Sequence, residues 1–475
     1  MKRVFPNYKK ANMTKEQFFY AYKELAQTSE EHVLLESGRV GKLCIAGVDP
    51  LVTMKSTDGQ SLELVWRDGT TEVRTGEPLE LVADFVRSMN VDYLPELPDY
   101  QGGVIGFVSY DYARTYEAIP EIAKDDLDTP DLFFYLFDRW AVLDVEDEVV
   151  TFMTLPERGL NPEVVEAEWL QAAAIGEKKR VHEAGGTAVE FNRPENIDVS
   201  VTGPQFEQMV RDVQRYIELQ EVNQVNLSVR QSKALEVEPL AMYEALRSFN
   251  PSPYMASIGA KEFAVVSGSP ELLLKKRGNE LSTRPIGGTR PRGASLQEDQ
   301  ALEQELLSNE KEKGEHIMLV EQELEDFGKV CVPETVETDE FMVIERYSHV
   351  MHLVSNVRGT AAPDLSTAAI IKGVFPGGSI TGSPKLRTME IIEELEPTRR
   401  GLYTGSIGWI GFNGDLELNI VIRSAYIKDG VAHIQAGAGL VADSNPRAEY
   451  VESLNKAKAL WQAKEMAEKA SVAKA

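Results

Sequence analysis

Cysteine is scarce in this 475-residue sequence, which has only Cys44 and Cys331 and no Cys-x-x-Cys pair. This excludes a disulfide framework and a zinc ribbon, and it makes a reducing cytoplasm the expected location. Long apolar runs are also missing, since the stretch 368–375 is too short and too interrupted to span a bilayer. The N-terminal residues are basic but lack the apolar segment of a signal peptide. We therefore expect a cytoplasmic protein with no membrane partner.

Positive charge is in short supply as well. The sequence has 50 Lys and Arg against 76 Asp and Glu, which gives a formal net charge of −26. This imbalance disfavours a nucleic-acid partner, whose phosphates would be repelled, and a polybasic membrane anchor. Hydrophobic residues make up 43%, so the chain can bury a large core and must carry most of its charge at the surface. An anionic ligand could bind so acidic a protein only at a site that locally offsets the negative charge.

The pattern of apolar segments divides the chain into three parts. Residues 15–155 contain short alternating segments, such as 32–37, that predict strands. Residues 156–200 are a predicted variable linker, in which a helix over 163–180 precedes an aperiodic, glycine-containing stretch. Residues 201–466 mix helices and strands without a regular βαβ alternation. This mixture predicts an α+β fold rather than a doubly wound one.

Four elements of the C-terminal part have predictable bounds. Thr202 and Gln205 have capping-box spacing and begin a predicted helix. One long acidic helix is predicted over 296–327, and a final helix over 446–466. Between these helices, residues 418–426 predict a strand.

Two pairs of glutamates occur at helical spacing. Glu312 and Glu315 lie three residues apart in the acidic helix. Glu449 and Glu452 repeat this spacing in the final helix, and Lys456 follows one turn later. Carboxylates from two helices suit a hard cation such as Mg²⁺, which prefers oxygen ligands. The alternative is a pair of solvated helix faces, and the spacing alone favours this alternative in a chain so rich in glutamate.

A glycine-rich run, Pro376-Gly-Gly-Ser-Ile-Thr-Gly-Ser-Pro-Lys385, precedes a helical pattern. Ser383 is the predicted N-cap and Pro384 the first helical residue, so exposed amides together with Lys385 could bind an anion. The run lacks the GxxxxGK[ST] pattern of a P-loop and gives nucleotide binding no support. An ordinary glycine-rich turn is an equally good interpretation.

Small residues and an arginine suggest a second anion contact. The run Gln435-Ala-Gly-Ala-Gly439 follows a predicted strand, so its backbone amides could approach a ligand closely. Arg423, in the preceding predicted strand, could hold a carboxylate through two hydrogen bonds. The alternative is tight sheet packing beside a surface arginine.

Glu271 and His352 are candidates for proton transfer and substrate contact. Glu271 directly follows an apolar strand and a tight turn, so partial burial would suit it to act as a general acid. A turn-stabilising glutamate is the alternative. His349 and His352 would point to opposite faces of a strand, which disfavours a shared metal. For His352 a hydrogen-bonding core position is the simplest interpretation, and a substrate contact is the other.

Seven motifs follow one another between residues 268 and 456. They are Gly268-Ser-Pro-Glu271, Arg284-Pro-Ile-Gly-Gly-Thr-Arg-Pro-Arg-Gly293, Lys311-Glu-Lys-Gly-Glu-His316, Tyr347-Ser-His-Val-Met-His352, Pro376-Gly-Gly-Ser-Ile-Thr-Gly-Ser-Pro-Lys385, Glu396-Pro-Thr-Arg-Arg-Gly401 and Glu449-Tyr-Val-Glu-Ser-Leu-Asn-Lys456. In this order they resemble the chorismate-utilising enzymes. That family includes component I of anthranilate synthase and of aminodeoxychorismate synthase, and the isochorismate and salicylate synthases.

The resemblance implies a fold and a set of site residues. The fold would be the chorismate-binding fold, a large mixed β-sandwich core with surrounding helices. Residues 15–155 would be a support and regulatory region, and residues 201–466 the catalytic domain. Mg²⁺ would be the cofactor, with the ligands Glu312, Glu315, Glu449 and Glu452. The catalytic residues would be Glu271 and His352, with Glu271 as the acid that protonates the departing C4 hydroxyl of chorismate. The residues expected to bind substrate are Gln224, Ser379, Lys385, Arg423, Gly439 and Lys456.

Gln224 bears on the choice of nucleophile. The water-using members of the family place a lysine base where Gln224 stands, so the resemblance implies an enzyme that uses ammonia. Asn226 favours the aminodeoxychorismate branch, because the anthranilate branch usually has valine there. Against this, many aminodeoxychorismate members have a lysine nucleophile where this chain has Gly287. The resemblance therefore favours amination of chorismate at C4, with amination at C2 as the alternative. Ammonia would come from a separate glutamine amidotransferase subunit.

The chain also departs from the family pattern. Leu324 and Glu325 replace a basic residue and an amide, and Gln220-Glu221 replaces a usual Gly-Asp. These departures leave open a rival interpretation, a non-catalytic sensor of chorismate or an amino acid. A weaker rival is a structural partner whose acidic helix is only an interaction face.

An effector site is a further possibility in the N-terminal part. Leu35, Glu36 and Ser37 match the element that holds tryptophan in related proteins. The same residues could instead be purely structural.

Overall fold

The computed structural model describes residues 4–37, 42–183, 196–346 and 350–472. Within these ranges, strands form two large sheets, and helices cover their outer faces. The α+β class is confirmed. No helix within these ranges is long and apolar enough to cross a membrane.

Sheet 1 has twelve strands, and every pair of neighbouring strands in it is antiparallel. In spatial order they are β1 (Asn7–Asn12), β10 (Val149–Thr154), β9 (Arg139–Asp144), β3 (Leu43–Val48), β2 (His32–Ser37), β13 (Tyr254–Gly259), β14 (Ala264–Ser269), β23 (Ser424–Lys428), β24 (Val431–Leu440), β12 (Gln224–Ala234) and β11 (Asp198–Val199), with β20 (Gly382–Ser383) also paired to β12.

Sheet 2 also has twelve strands, again with antiparallel neighbours. In spatial order they are β17 (Ile286–Pro291), β19 (Val350–Thr360), β16 (Glu280–Arg284), β15 (Leu272–Arg277), β22 (Leu416–Asn419), β21 (Ser406–Gly411), β7 (Gly103–Val108), β8 (Leu132–Leu136), β4 (Val52–Ser56), β5 (Ser61–Trp66) and β6 (Thr71–Thr75), with β18 (Glu337–Arg346) also paired to β19.

Eleven α-helices occur in the described ranges: α1 (Lys15–Ala26), α2 (Pro78–Ser88), α3 (Pro162–Glu183), α4 (Gly203–Glu218), α5 (Pro239–Phe249), α6 (Leu296–Ser308), α7 (Glu310–Val330), α8 (Thr367–Val374), α9 (Lys385–Leu395), α10 (Pro446–Lys456) and α11 (Lys458–Val472). Short 3₁₀ segments connect other elements, and one of them, Gly378–Ile380, lies in the glycine-rich run.

Strand alternation distributes apolar side chains between two cores. Val33 of β2 packs in the core shared by the two sheets, whereas Leu34 packs against helices on the outer face of sheet 1. In the shared core the rings of Phe107 and Phe263 lie 5.7 Å apart, edge to face. The two sheets therefore form a sandwich with helices outside it.

The predicted parts 15–155 and 201–466 do not form separate sheets. In sheet 1, β2 from the first part pairs with β13 from the second. In sheet 2, β7 pairs with β21. The predicted helix of the linker is confirmed as α3, which packs on α1. Most of the aperiodic stretch predicted to follow it lies outside the described residues.

Three predicted elements are wrong in their continuity. The acidic helix predicted over 296–327 is two helices, because the Asn309 side chain accepts hydrogen bonds from the first amides of α7 and caps it. The predicted final helix is divided at Ala457 into α10 and α11. The predicted strand 418–426 is interrupted over residues 420–423, the last of which, Arg423, has a left-handed φ of 52°. The capping box at the start of α4 is confirmed.

Candidate active site

Glu271 lies between β14 and β15, where sheet 1 passes into sheet 2. Its turn is fixed by Ser269, whose hydroxyl donates to the Ile420 carbonyl and accepts from the Glu271 amide. The carboxyl group is 8% exposed and accepts a 2.8 Å hydrogen bond from the Ser379 hydroxyl. Burial raises the pKa of Glu271 to about 7, and the hydrogen bond from Ser379 opposes part of this rise. A carboxyl group with a pKa near neutrality is suited to donate a proton.

Strand β12 contributes two amide side chains to the same region. Val225, Leu227 and the other odd-numbered apolar residues of β12 pack against α4 and α9. Gln224 and Asn226 therefore face the opposite side, towards the turn that carries Ser379. The Asn226 amide donates a long, 3.4 Å hydrogen bond to the Ser379 carbonyl. The strand thus links its polar face to the turn beside Glu271.

Arg400 connects β12 to the turn that carries Ser379. Its guanidinium donates to the Ile380 carbonyl at 2.9 Å and to the Asn226 carbonyl at 2.7 Å. It also pairs with Glu396 at 2.9 Å, and both side chains are almost fully buried. The Glu396 carboxylate in turn accepts from the amide and hydroxyl of Ser228. This network was not predicted, although its motif, residues 396–401, was recognised in the sequence.

Gly439 lies beside Gln224, and Lys456 contacts the strand that carries Gly439. Gly439 pairs with Asn226 across the β12–β24 ladder, and a Cβ at Gly439 would lie only 2.2 Å from the Gln224 amide nitrogen. Lys456 donates to the Gly437 carbonyl at 2.9 Å and pairs with Glu452 at 2.9 Å. Two of the predicted substrate-binding residues, Gln224 and Gly439, are thus neighbours, and Lys456 contacts the same strand as Gly439.

Arg423 faces an open cleft of about 720 Å³ that is also lined by Lys456 and by Asn445, Arg447, Ala448, Val451, Glu452 and Asn455 of α10 and its N-cap. Within the described ranges, no carboxylate forms an ion pair with Arg423. A cation left free in a cleft can bind the carboxylate of a ligand.

The four predicted metal ligands lie on α7 and α10 but are not assembled into one ligand set. Among the described residues, no group of three or more His, Cys, Asp or Glu side chains is placed to hold a metal ion. Arg290 donates to Glu312 at 2.5 Å, Ser444 donates to Glu449 at 2.8 Å, and Glu452 pairs with Lys456. Each of these carboxylates is therefore engaged within the chain.

Other observations fit a cation at this position. Oε2 of Glu312 is buried without a hydrogen-bond partner among the described residues. It lies over Gly288, where a Cβ would come within 1.4 Å of it. Burial, and then the negative charge of the other three glutamates, raises the pKa of Glu315. Four carboxylates whose charges influence one another form a donor set that fits Mg²⁺ chemistry. Ligation would require Glu312 and Glu452 to leave their present partners.

His352 of β19 shares a 2.8 Å hydrogen bond with the Thr289 hydroxyl of β17. Burial, and then the nearby charge of Arg423, lowers the pKa of His352 to about 4, so its ring is neutral at physiological pH. The charge of Arg423 acts on His352, so the two side chains lie within electrostatic reach of each other. The prediction for His349 concerns a residue outside the described ranges.

Lys385 is bound to partners within the chain. It pairs with the buried Asp326 of α7 and donates to the Val374 carbonyl at 3.0 Å. The predicted N-cap is wrong: Ser383 is extended and pairs with Gln224 of β12, and Pro384 is the N-cap of α9. The charge of Lys385 is therefore paired with an internal carboxylate, and the anion site at this helix start stays a prediction.

Glu36 of the predicted effector element is buried in β2. It accepts hydrogen bonds from Arg247 at 3.0 Å and from the Tyr243 hydroxyl at 2.6 Å. Leu35 and Ser37 flank it at the end of the strand. A cavity of about 1170 Å³ adjoins Glu36, Arg247 and Met255.

The departures from the family pattern are locally accommodated. Glu221 accepts hydrogen bonds from Arg387 at 2.9 and 3.0 Å, and Leu324 packs against the shared core. Gln220 has a φ of 59°, a conformation that favours the glycine usual at this position. At Gly287 a Cβ would lie 2.5 Å from the His316 ring, so a lysine there would require this histidine to move.

A second buried acid was not predicted. Glu323 of α7 is 5% exposed, and burial followed by the charge of Asp326 raises its pKa to about 8. The charge of Glu271 contributes to this rise, so the two acids lie within electrostatic reach of each other. No local pattern in the sequence singled out this glutamate.

The chain matches the family model described as chorismate binding enzyme over residues 30–462. It is 46% identical over 472 residues to aminodeoxychorismate synthase component 1 of Bacillus subtilis (strain 168), covering 98% of both chains. It is 41% identical over 458 residues to anthranilate synthase component 1 of Thermus thermophilus, covering 94% of this chain and 95% of that one.

Solved structures agree with these matches. Anthranilate synthase component I from Streptococcus pneumoniae has a TM-score of 0.75 and 31% identity, over 89% of this chain and 92% of that one. The menaquinone-specific isochorismate synthase from Escherichia coli shares the fold, with a TM-score of 0.67 and 17% identity over 98% and 96% of the two chains. The chain belongs to the family of chorismate binding enzymes.

Proposed function

We propose that this enzyme replaces the C4 hydroxyl of chorismate with an amino group, giving 4-amino-4-deoxychorismate for para-aminobenzoate and folate synthesis. The observation that carries the proposal is the buried Glu271, with a pKa of about 7, on the same side of the fold as Gln224. The acid suits a hydroxyl leaving group, and the amide of Gln224 cannot act as a base towards water. The similarity to aminodeoxychorismate synthase component 1 of Bacillus subtilis supports this choice.

In the proposed reaction Glu271 transfers its proton to the C4 hydroxyl as the carbon–oxygen bond breaks, so water leaves. Ammonia supplies the electron pair for the new carbon–nitrogen bond. The ammonium group formed in this way loses a proton, which restores the acid form of Glu271. Arg423 and Lys456 would hold the carboxylates of the dianion, together with the Gly439 amide. His352 and Ser379 would line the ring.

Magnesium would be held by Glu312, Glu315, Glu449 and Glu452. When bound, it supplies positive charge for a substrate carboxylate in an otherwise acidic region. The net charge of −26 makes this contribution important, because the glutamates alone would repel the dianion.

Ammonia would come from a separate glutamine amidotransferase subunit in the cytoplasm. The name component 1 of the relatives implies a partner subunit for those proteins. By the same similarity we classify the activity as that of a transferase.

Anthranilate synthesis, amination at C2, is the second candidate. Gly287 favours it, because the lysine nucleophile of many aminodeoxychorismate synthases would sit there and the adjacent His316 leaves it little room. The 41% identity to anthranilate synthase component 1 of Thermus thermophilus also supports it.

The products distinguish these functions. The purified chain is incubated with chorismate, Mg²⁺ and an ammonium salt, and the products are separated by chromatography and identified by mass. We expect aminodeoxychorismate, and no product when the ammonium salt is replaced by potassium chloride. Anthranilate would move the chain to the second candidate, and isochorismate would contradict the argument from Gln224. Binding of chorismate without any product would favour the non-catalytic sensor.

Removal of the Ser379 hydroxyl is expected to change the pH dependence. The hydroxyl donates to the Glu271 carboxylate and favours its charged form, so Ser379→Ala should raise the pKa of Glu271, by about one unit. A general acid must be protonated, and the alkaline limb of kcat should therefore move to higher pH. An unchanged or lower limb in Ser379→Ala would contradict this geometry. Ser248→Ala, on the exposed surface of α5, is the control.

A further inference from the structure

Two side-chain oxygens on β12 are buried without a hydrogen-bond partner in the described part of the chain: Oε1 of Gln224 and Oδ1 of Asn226. The residues are two apart in one strand, so both side chains lie on the same face of sheet 1. Asn226 is only 9% exposed. An unpaired buried carbonyl is unfavourable, which indicates that a hydrogen-bond donor occupies this position in the working enzyme.

The opposite strand leaves room for the two amide side chains. Gly437 and Gly439 of β24 lie beside the two amides. A Cβ at Gly437 would come within 2.7 Å of Oδ1 of Asn226, and a Cβ at Gly439 within 2.2 Å of the Gln224 amide nitrogen. Any larger residue would displace the amides, so the two glycines allow both amide side chains to lie against β24.

The two oxygens are connected to the proton donor. The Asn226 amide nitrogen contacts the Ser379 carbonyl, and the Ser379 hydroxyl donates to Glu271. A molecule bound at the amides would therefore lie on the Glu271 side of β12. Gln224 and Asn226 offer it only uncharged acceptors, which do not compete for the carboxylates of chorismate.

We propose that Oε1 of Gln224 and Oδ1 of Asn226 form the binding site for ammonia. Ammonia has three N–H donors and one lone pair, so two donors can bind the two oxygens while the lone pair remains free to attack the ring. A carbonyl oxygen accepts from ammonia without withdrawing the lone pair, whereas a protonated lysine at position 224 would bind that lone pair. This inference rests on the proposed function and adds the residues that receive the nucleophile.

The test measures the KM for ammonium and the KM for chorismate separately. Asn226→Leu removes the acceptor at similar size, and we expect it to raise the KM for ammonium about tenfold with the KM for chorismate unchanged. Asn226→Asp restores an acceptor of the same shape and should bring the KM for ammonium back towards that of the unaltered chain. Gln224→Met, at the less buried position, gives a second measurement if Asn226→Leu does not fold. Asn223→Leu, an exposed neighbour before the strand, is the matched control.

Three results would overturn the inference. An unchanged KM for ammonium in folded Asn226→Leu and Gln224→Met would mean that the oxygens hold only a structural water. A parallel rise of both KM values would assign the amides to chorismate. A failure of Asn226→Asp to improve on Asn226→Leu would indicate a packing role. If the unaltered chain forms no aminated product, the proposed function fails, and the ammonia site fails with it.

Discussion

Substitution of Glu271 by glutamine is expected to lower kcat for chorismate amination by about 10²–10⁴-fold. The amide keeps the shape of the side chain and can still accept the hydrogen bond from Ser379, but it cannot give up a proton as a carboxylic acid does. The measurement is the initial rate of product formation at saturating chorismate and ammonium. Because the C4 hydroxyl would then leave without a proton, the KM for chorismate should change far less than kcat.

The matched control is Glu280→Gln, on the exposed side of β16, which should retain full activity. More than one-tenth of the original kcat in Glu271→Gln would contradict the assignment of the general acid. The pH dependence provides a second check. Because burial raises the pKa of Glu271 to about 7, its acid form is present below that value, and kcat should fall as the pH rises through about 7.

Loss of the Arg400 charge is expected to destabilise the fold by about 3–5 kcal/mol. Arg400→Met would leave the Glu396 carboxylate buried without its cation and would free the carbonyls of Asn226 and Ile380. The free energy of unfolding, measured by urea denaturation, should fall accordingly. The turn that carries Ser379 and the amide face of β12 would lose their common support, so activity should fall in the protein that remains folded.

Arg399→Met is the matched control for Arg400→Met. Arg399 is the neighbouring arginine, but its ion pairs with Glu121 and Asp125 are long, 3.8 and 3.6 Å, and partly exposed. Its loss should change the free energy of unfolding by less than about 1 kcal/mol. Equal destabilisation by the two substitutions would contradict the role of the buried pair. Adding Glu396→Leu to Arg400→Met should recover part of the lost stability, because it removes the unpaired charge.

The sequence indicated the main chemical groups of the site because recognisable motifs carry them. Glu271 was expected as a buried acid, and its turn between β14 and β15 gives it that environment. The contact of Lys385 with Asp326 was not predicted, because the two residues are distant in sequence and meet only in the fold. Arg290 is a second example, because its hydrogen bond to Glu312 is a contact that no local sequence pattern indicates.

Local patterns also predicted whether most elements are helices or strands better than they predicted the first and last residues of those elements. The alternation in β2 and the capping box of α4 are short-range signals, and both elements are present. The break at Asn309 depends on one side chain that prefers to cap a helix rather than to continue it. The joining of the N-terminal and C-terminal strands in the same sheets could not be predicted, because strand pairing over such separations depends on the complete core.

The order of strands in sheet 1 has a consequence for synthesis of the protein on the ribosome. Strand β12 lies near one end of this sheet and joins the other strands from β1 to β23 only through β24, which is the last of the described strands to be made. Until residue 440 has left the ribosome, β12 and β23 both present unpaired edges that can bind other chains. A nascent chain halted before that point would therefore be prone to aggregation, and a shortened catalytic part would not be a smaller version of the enzyme.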